Sequence, residues 1–287
     1  MKLLTSNTQR TPAAPVRCKL CLTLILVALQ ASITASGQTT TNDMGQTPGA
    51  TARSQIAPGS PSDTVRQFYK LMRERRIREA FAMSIYKPAI DGLKPAEFDD
   101  LRPDFEVMAA AVPENVDIYG EQISGDIATV FVKVPNSEKA EQAEPVTLIR
   151  MKNAWIIGDK ENQQIVKKAG KSFFFKARID THHKDVQEML RRIPVVQLVY
   201  SQQHNGLFGG LQALIDVGLM PKDLEGTQST GYRFYITLAP DAKSYIAGAE
   251  PARYGHTGRL SFLIDHTGNL KSADTGGKPL TTDTVKK

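Results

Sequence analysis

Cysteine is nearly absent: the 287-residue chain has two, Cys18 and Cys21, both within its first 37 residues. Beyond them there is no thiol nucleophile, no disulfide and no cysteine-based metal site. Long apolar runs are lacking as well. The strongly apolar stretch at residues 20–29 counts ten residues, against the ~20 that a membrane-spanning helix needs. The chain has no Gly-x-Ser-x-Gly elbow, no phosphate-binding loop and no dinucleotide fingerprint. Its positive charge is also thinner than the total suggests. There are 36 Lys and Arg against 30 Asp and Glu. Four of those bases (Lys2, Arg10, Arg17 and Lys19) precede the apolar run with no acid among them, leaving 32 against 30 if the leader is removed. A nucleic-acid role argued from the pI of 9.2 therefore rests largely on the leader, and none is expected.

The leader itself, residues 1–37, reads as a secretory signal: bases, an apolar run, then small residues Ala35 and Gly37 at the positions a signal peptidase reads. An uncleaved anchor is the alternative, because no charge falls between Lys19 and Asp43. Neither cysteine follows the small-residue pattern of a lipoprotein signal. Residues 38–60 are rich in Thr, Gly, Gln, Pro and Ser and read as a flexible linker. Once the signal is removed, no integral membrane span is expected.

Ser60-Pro61-Ser62-Asp63 is a helix start, with a serine cap, proline at the first helical position and an acid in the first turn. Val65, Phe68, Tyr69 and Met72 follow at helical spacing, and Ile77, Phe81 and Ile85 continue the face. The intervening Arg73-Glu74-Arg75-Arg76-Ile77-Arg78-Glu79 reads as a solvated face rather than a phosphate site. After a proline-punctuated middle the period changes. Residues 116–123 and 127–134 read as strands across a Gly125-Asp126 turn, with Ala128, Val130, Val132 and Val134 on one face and Ile127, Thr129 and Phe131 on the other. Residues 146–151 and Trp155-Ile156-Ile157 form a second hairpin across Lys152-Asn153.

The order of that helix (65–83), the strand pair broken at Gly125-Asp126 and the closing hairpin Leu148-Ile149-Arg150-Met151-Lys152-Asn153-Ala154-Trp155-Ile156-Ile157 resembles the cone-shaped nuclear transport factor 2-like (cystatin-like) superfamily. Its nearest flavour is the bacterial exported cones. The resemblance implies an α+β domain over residues 61–160, a helix against a curled antiparallel sheet. Some relatives are isomerases or dehydratases. A histidine-based version is excluded, because all five histidines (182, 183, 204, 256 and 266) lie beyond this domain. A carboxylate-based one would draw on Tyr69, Tyr86, Asp91, Asp99 and Asp100. Asp91-Gly92 and Asp99-Asp100 read instead as exposed turns.

Residues 161–179 form a connector, basic at Lys167, Lys168, Lys171, Lys176 and Arg178, with Phe173-Phe174-Phe175 packing as a short strand. Asp180 or Thr181 opens a helix with Val186, Met189, Leu190, Ile193, Gln197 and Tyr200 along one side, bent or restarted at Pro194. A Gly-rich turn, Asn205-Gly206-Leu207-Phe208-Gly209-Gly210-Leu211, precedes a short helix at 211–217 and Gly218-Leu219-Met220-Pro221. Strands follow at 232–238 and 244–249. Tyr254-Gly255-His256-Thr257-Gly258 then leads into Leu260, Phe262 and Ile264, and Asp265-His266-Thr267-Gly268-Asn269 turns into Leu270. This order, over residues 180–275, resembles the globular head of type IV pilins and the pseudopilins of type II secretion. It departs from them in one respect: the head has no apolar helical stalk running into it, which puts assembly as an ordinary pilin subunit in doubt. Adjacent His182 and His183 point about 100° apart on a helix and share no metal face. Residues 276–287 read as a flexible tail.

The sequence thus reads as an exported α+β protein of two domains, periplasmic or extracellular. It names no catalytic, cofactor or metal residue and no oligomeric state. The leading expectation is a non-enzymatic envelope or surface interaction module, accessory to a type IV pilus or type II secretion apparatus, whose partners are envelope, secretion or pilus proteins. The alternative is a small-molecule binder or isomerase/lyase using the cone's pocket. A cavity filled by Phe68, Phe81, Phe131 and Trp155 favours the first, and a dry cavity with one buried carboxylate near Tyr69 or Tyr86 the second. Export itself is directly testable: intact mass of the secreted or periplasmic protein should place the mature N-terminus near Gln38. Retention of residues 1–37 in a membrane fraction would establish an anchor.

Overall fold

The computed structural model describes residues 57–133 and 143–281. The leader, the linker as far as residue 56, Val134 and tail residues 282–287 lie outside them. The fold is α+β, with two four-stranded antiparallel sheets ordered β1-β2-β3-β4 and β5-β6-β7-β8. The chain divides into two compact units, one ending at Phe174 and the other starting at Phe175.

In the first unit, α1 (Pro61–Arg73) begins as its sequence dictates: Ser60 accepts from the Asp63 amide at 3.2 Å, and Val65, Phe68 and Met72 are buried. The helix expected to run on to residue 83 is interrupted. Arg75 takes a left-handed φ of 61°, and a separate α2 (Ile77–Ala82) follows. The interruption falls where Arg73-Glu74-Arg75-Arg76 offers nothing to bury, and restarting at Ile77 turns Ala80 and Phe81 inward. The charges of the run stay at the surface in ion pairs, Arg75 with Glu106 at 2.9 Å and Arg76 with both Glu74 and Glu79. Next come α3 (Lys87–Asp91) and α4 (Pro95–Ala110). Asp99 and Asp100, expected in a turn, lie within α4. Pro103 is accommodated there because both it and Asp99, whose carbonyl it leaves unbonded, are on the exposed side.

The first sheet comprises β1 (Asp117–Ser124), β2 (Ile127–Lys133), β3 (Glu144–Met151) and β4 (Ala154–Ile157). Gly125 at φ 59° and Lys152 at φ 55° make its two tight turns. Ala128, Val130, Val132 and Leu148 are essentially fully buried on the face that α1 covers. Where β4 ends, the chain runs close to Ile85: a Cβ on Gly158 would sit 2.7 Å from that side chain, and Gly158 holds φ 121°.

The connector is helical rather than extended. Asp159 caps α5 (Lys160–Ala169) by accepting from the Asn162 amide at 2.8 Å, and a 3₁₀ turn at Gly170–Ser172 leads into α6 (Phe173–Gln203). Phe173, Phe174 and Phe175 therefore belong to a helix, which starts seven residues before Asp180. Three consecutive aromatics suit either state, and packing decides. Phe173 and Phe174 join Phe68, Tyr69, Phe81, Tyr86, Phe98 and Phe105 in a cluster whose ring centroids lie 5.2–6.3 Å apart.

In the second unit, α6 packs on one face of β5 (Tyr232–Leu238), β6 (Tyr245–Pro251), β7 (Leu260–Asp265) and β8 (Leu270–Asp274), with α7 (Leu211–Asp216) beside it. Val186, Met189, Leu190 and Ile193 meet Tyr232, Phe234, Tyr245, Ala247, Ala249, Phe262 and Ile264. Pro194 neither ends nor restarts α6. Gln197, fully buried, donates to the Gly209 carbonyl at 2.6 Å and accepts from its amide at 2.9 Å. Residues 276–281 are not a flexible tail: Leu280 is 1% exposed and the segment is hydrogen-bonded to the sheet. Phe234, 8% exposed in this core, gives a direct check of the packing. Phe234→Ala should cost about 3–5 kcal/mol in chemical denaturation, and an unchanged midpoint would remove that strand from the core.

Candidate functional site

A polar arrangement gathers where α6 meets the approach to β7. Adjacent histidines clasp the chain between Thr257 and Leu260. His182 Nδ1 donates to the Thr257 carbonyl at 2.7 Å. His183 Nε2 accepts from the amides of Arg259 at 3.1 Å and Leu260 at 3.2 Å, so its proton resides on Nδ1. Tyr232 completes the clasp by donating to the Leu260 carbonyl at 2.9 Å. Two glycines make room. A Cβ on Gly231 would lie 2.5 Å from the His182 ring, and one on Gly258 would lie 2.0 Å from the Tyr232 hydroxyl. Beside it, Asp274 receives Tyr254 at 2.9 Å and Arg259 at 3.1 Å, and these hydrogen bonds hold its carboxyl below the usual range.

The chemistry of the clasp is structural. A histidine that accepts two backbone amides through Nε2 has no free basic nitrogen on that side, and its neighbour is committed to a different carbonyl. The two rings therefore do not converge on one ligand. Among the described residues, no group of three His, Cys, Asp or Glu side chains is placed to hold a metal ion. The Asp265 turn is likewise a local device: its carboxylate accepts from the Thr267 hydroxyl at 2.5 Å, the Thr267 amide at 3.0 Å and the Asn269 amide at 3.1 Å, and is held low by them.

The acids and phenols considered for the first unit do not assemble. Asp91 pairs with Lys87 at 2.6 Å and Asp99 with Arg102 at 2.5 Å, all four side chains exposed. Tyr69 and Tyr86 are both pushed up to about 12, chiefly by burial and secondarily by the charges of Glu144 and Asp159 respectively, so both phenols are neutral donors at ordinary pH. The Asp159 carboxylate is already engaged as the α5 cap. Phe68 and Phe81 fill the interior together with Tyr86 and Phe105. Phe131 and Trp155 do not. Phe131 alternates onto the opposite face from Val130 and Val132, and Trp155 lies half-buried beneath the Arg150 guanidinium at 5.7 Å.

Two features escaped the sequence reading. One is the exposed apolar stripe Val195, Leu198 and Val199 on α6, opposite Ile193 and Gln197, visible in principle as a helix apolar all round. The other is Glu250, an acid in a strand that is 7% exposed, which no local pattern marks.

No family model, curated protein or solved structure matches this chain. No helix among the described residues is long and apolar enough to cross a membrane.

Partial burial is the main cause holding His183 below the ordinary imidazole value; His182 and Arg259 lower it further and Asp180 opposes them. A histidine kept neutral on folding contributes its full stabilisation above the unfolded value of about 6.5, and loses it as pH falls through the lower folded value. Denaturation midpoints should therefore drop below pH 6.5. In His183→Gln, whose amide oxygen accepts without titrating, that slope should shrink. An identical slope in the variant would detach His183 from the acid sensitivity.

Proposed function

We propose that the protein is an exported, non-enzymatic interaction module of the cell envelope or surface, serving as an accessory to a type IV pilus or type II secretion apparatus. One observation carries the reading as an interaction module: Val195, Leu198 and Val199 stand 66%, 58% and 37% exposed on a helix whose other side is the core of the second unit. Residues at i, i+3 and i+4 form one contiguous patch, and contiguous apolar surface on an otherwise well-packed helix is a mark of a partner site rather than of scattered surface apolarity. Support also comes from the commitment of the titratable groups. His183 Nε2, Asp91, Asp99 and Asp159 each already hold a structural partner, which supports a structural rather than an acid–base role for them. The order of elements from the long helix through β8 parallels that of a pilin-like head, and the leader supports export.

The small-molecule alternative retains one specific feature, the neutral Tyr69 phenol within the field of Glu144. Among the described residues no convergent second group of the kind an isomerase needs stands beside it.

The stripe separates the readings. Val195→Glu with Leu198→Glu should leave the melting temperature within a few degrees, since both side chains are already in solvent. It should abolish capture of the partner that wild-type protein retains from envelope extracts, identified by mass spectrometry. Equal capture by wild type and double variant would remove the stripe as the interface.

A further inference from the structure

By strand alternation, the face of the second sheet turned away from α6 carries Arg233, Tyr235, Gly248, Glu250, Ser261 and Leu263. Glu250 is nine-tenths buried on it. One of its carboxylate oxygens accepts from Arg233 Nη1 at 2.6 Å, while the other, Oε2, is buried with no hydrogen-bond partner. A carboxylate has room for a cation on each oxygen, and a buried oxygen left without a donor is destabilising.

The C-terminal segment lies over this face. Gly276 and Gly277, at φ 66° and 84°, reverse the chain after β8, a conformation that side-chain-bearing residues resist. Leu280 is inserted to 1% exposure. Ser261 Oγ donates to the Lys278 carbonyl at 2.7 Å, and the Thr275 hydroxyl reaches the same oxygen and Ser261. The Tyr235 hydroxyl extends to the Leu280 carbonyl at 3.4 Å, a long contact. Gly248 gives Tyr235 its place, because a Cβ there would lie 2.3 Å from the hydroxyl. Carbonyls two residues apart thus meet hydroxyls of the sheet, the spacing of an extended peptide. Pro279 between them has no amide to leave unpaired.

We propose that this face is a binding groove for an extended peptide of a partner protein, one with an apolar anchor and a basic side chain, and that the chain's own residues 278–280 occupy its apolar part in the free protein. The anchor takes the place of Leu280, and the peptide carbonyls take the Ser261 and Tyr235 hydroxyls. The basic group supplies the donor that Glu250 Oε2 lacks. The resident segment leaves that oxygen unpaired, so a peptide that pairs it has an advantage over the segment it displaces. The groove gives the proposed interaction module a partner chemistry and rests on that reading for its setting; the binding experiment reads the groove alone.

The probes are the labelled peptide Thr-Gly-Gly-Lys-Pro-Leu-Thr and versions with arginine at each position except leucine. They are titrated against full-length wild type, Leu280→Ser and Glu250→Gln/Leu280→Ser. Leu280→Ser should bind the parent peptide and wild type should bind it about tenfold more weakly, having to release its own segment. At least one arginine peptide should gain about tenfold, the worth of one charge-assisted hydrogen bond, and Glu250→Gln should erase that gain while sparing parent binding. No binding by folded Leu280→Ser, no gain from any arginine (a water then satisfying Glu250), or a gain that survives Glu250→Gln would each overturn the proposal. Should Leu280→Ser not fold, hydrogen exchange at residues 275–281 of wild type decides: faster with the arginine peptide supports displacement, and no change overturns it. Peptide binding without envelope capture would refute the broader function and leave the groove standing, whereas capture without peptide binding would do the reverse.

Discussion

A fully buried amide on a long helix organises the second unit. Gln197 has no water to solvate it, so its side chain must find both a donor and an acceptor inside the protein, and it finds them on the backbone of Gly209. The pair fixes the rotation of α6, which in turn decides that Leu190 and Ile193 face the sheet and that Val195, Leu198 and Val199 face solvent. It also fixes the Gly-rich loop, where a side chain on Gly209 would meet the Tyr200 ring at 2.9 Å. A burial that demands two hydrogen bonds is more exacting than one that demands only apolar contact, because a small slip leaves unpaired groups behind.

The His182–His183 clasp does at one end of the helix what Gln197 does toward the other. Both secure loop backbone that would otherwise have to be satisfied by solvent. The first unit relies on a different device. Its aromatic cluster is apolar and tolerant of angle, and register there comes from strand alternation and the close pass of Gly158 over Ile85.

Much of the local structure was legible. The Ser60 cap, the Gly125-Asp126 and Lys152-Asn153 turns and the Ala128-Val130-Val132 alternation each depend on residues within one turn or one strand, where spacing directly encodes geometry. The break at Arg75 was not, because a charged run is compatible with continuing the helix; only the position of the aromatic cluster required Ile77 to restart it. The phenylalanine triplet suits a strand as well as a helix, because an apolar run of that length has no period to betray a helix. The seating of residues 276–281 is not legible either: Gly276-Gly277 and Pro279 signal irregular chain, and a single buried leucine anchoring such a segment leaves no pattern.

The sequence by itself determined the α+β class, the capped first helix, the hairpin turns and the inward faces of β2 and β5, because these follow from nearest neighbours and side-chain period. Tertiary structure alone decided the exposure of Val195 and Leu198, the burial of Glu250 with one oxygen unpaired and the seating of Leu280 over the sheet. Each depends on residues far apart in the chain meeting at one place, and burial of a charge is a property of everything that surrounds it rather than of the strand that carries it.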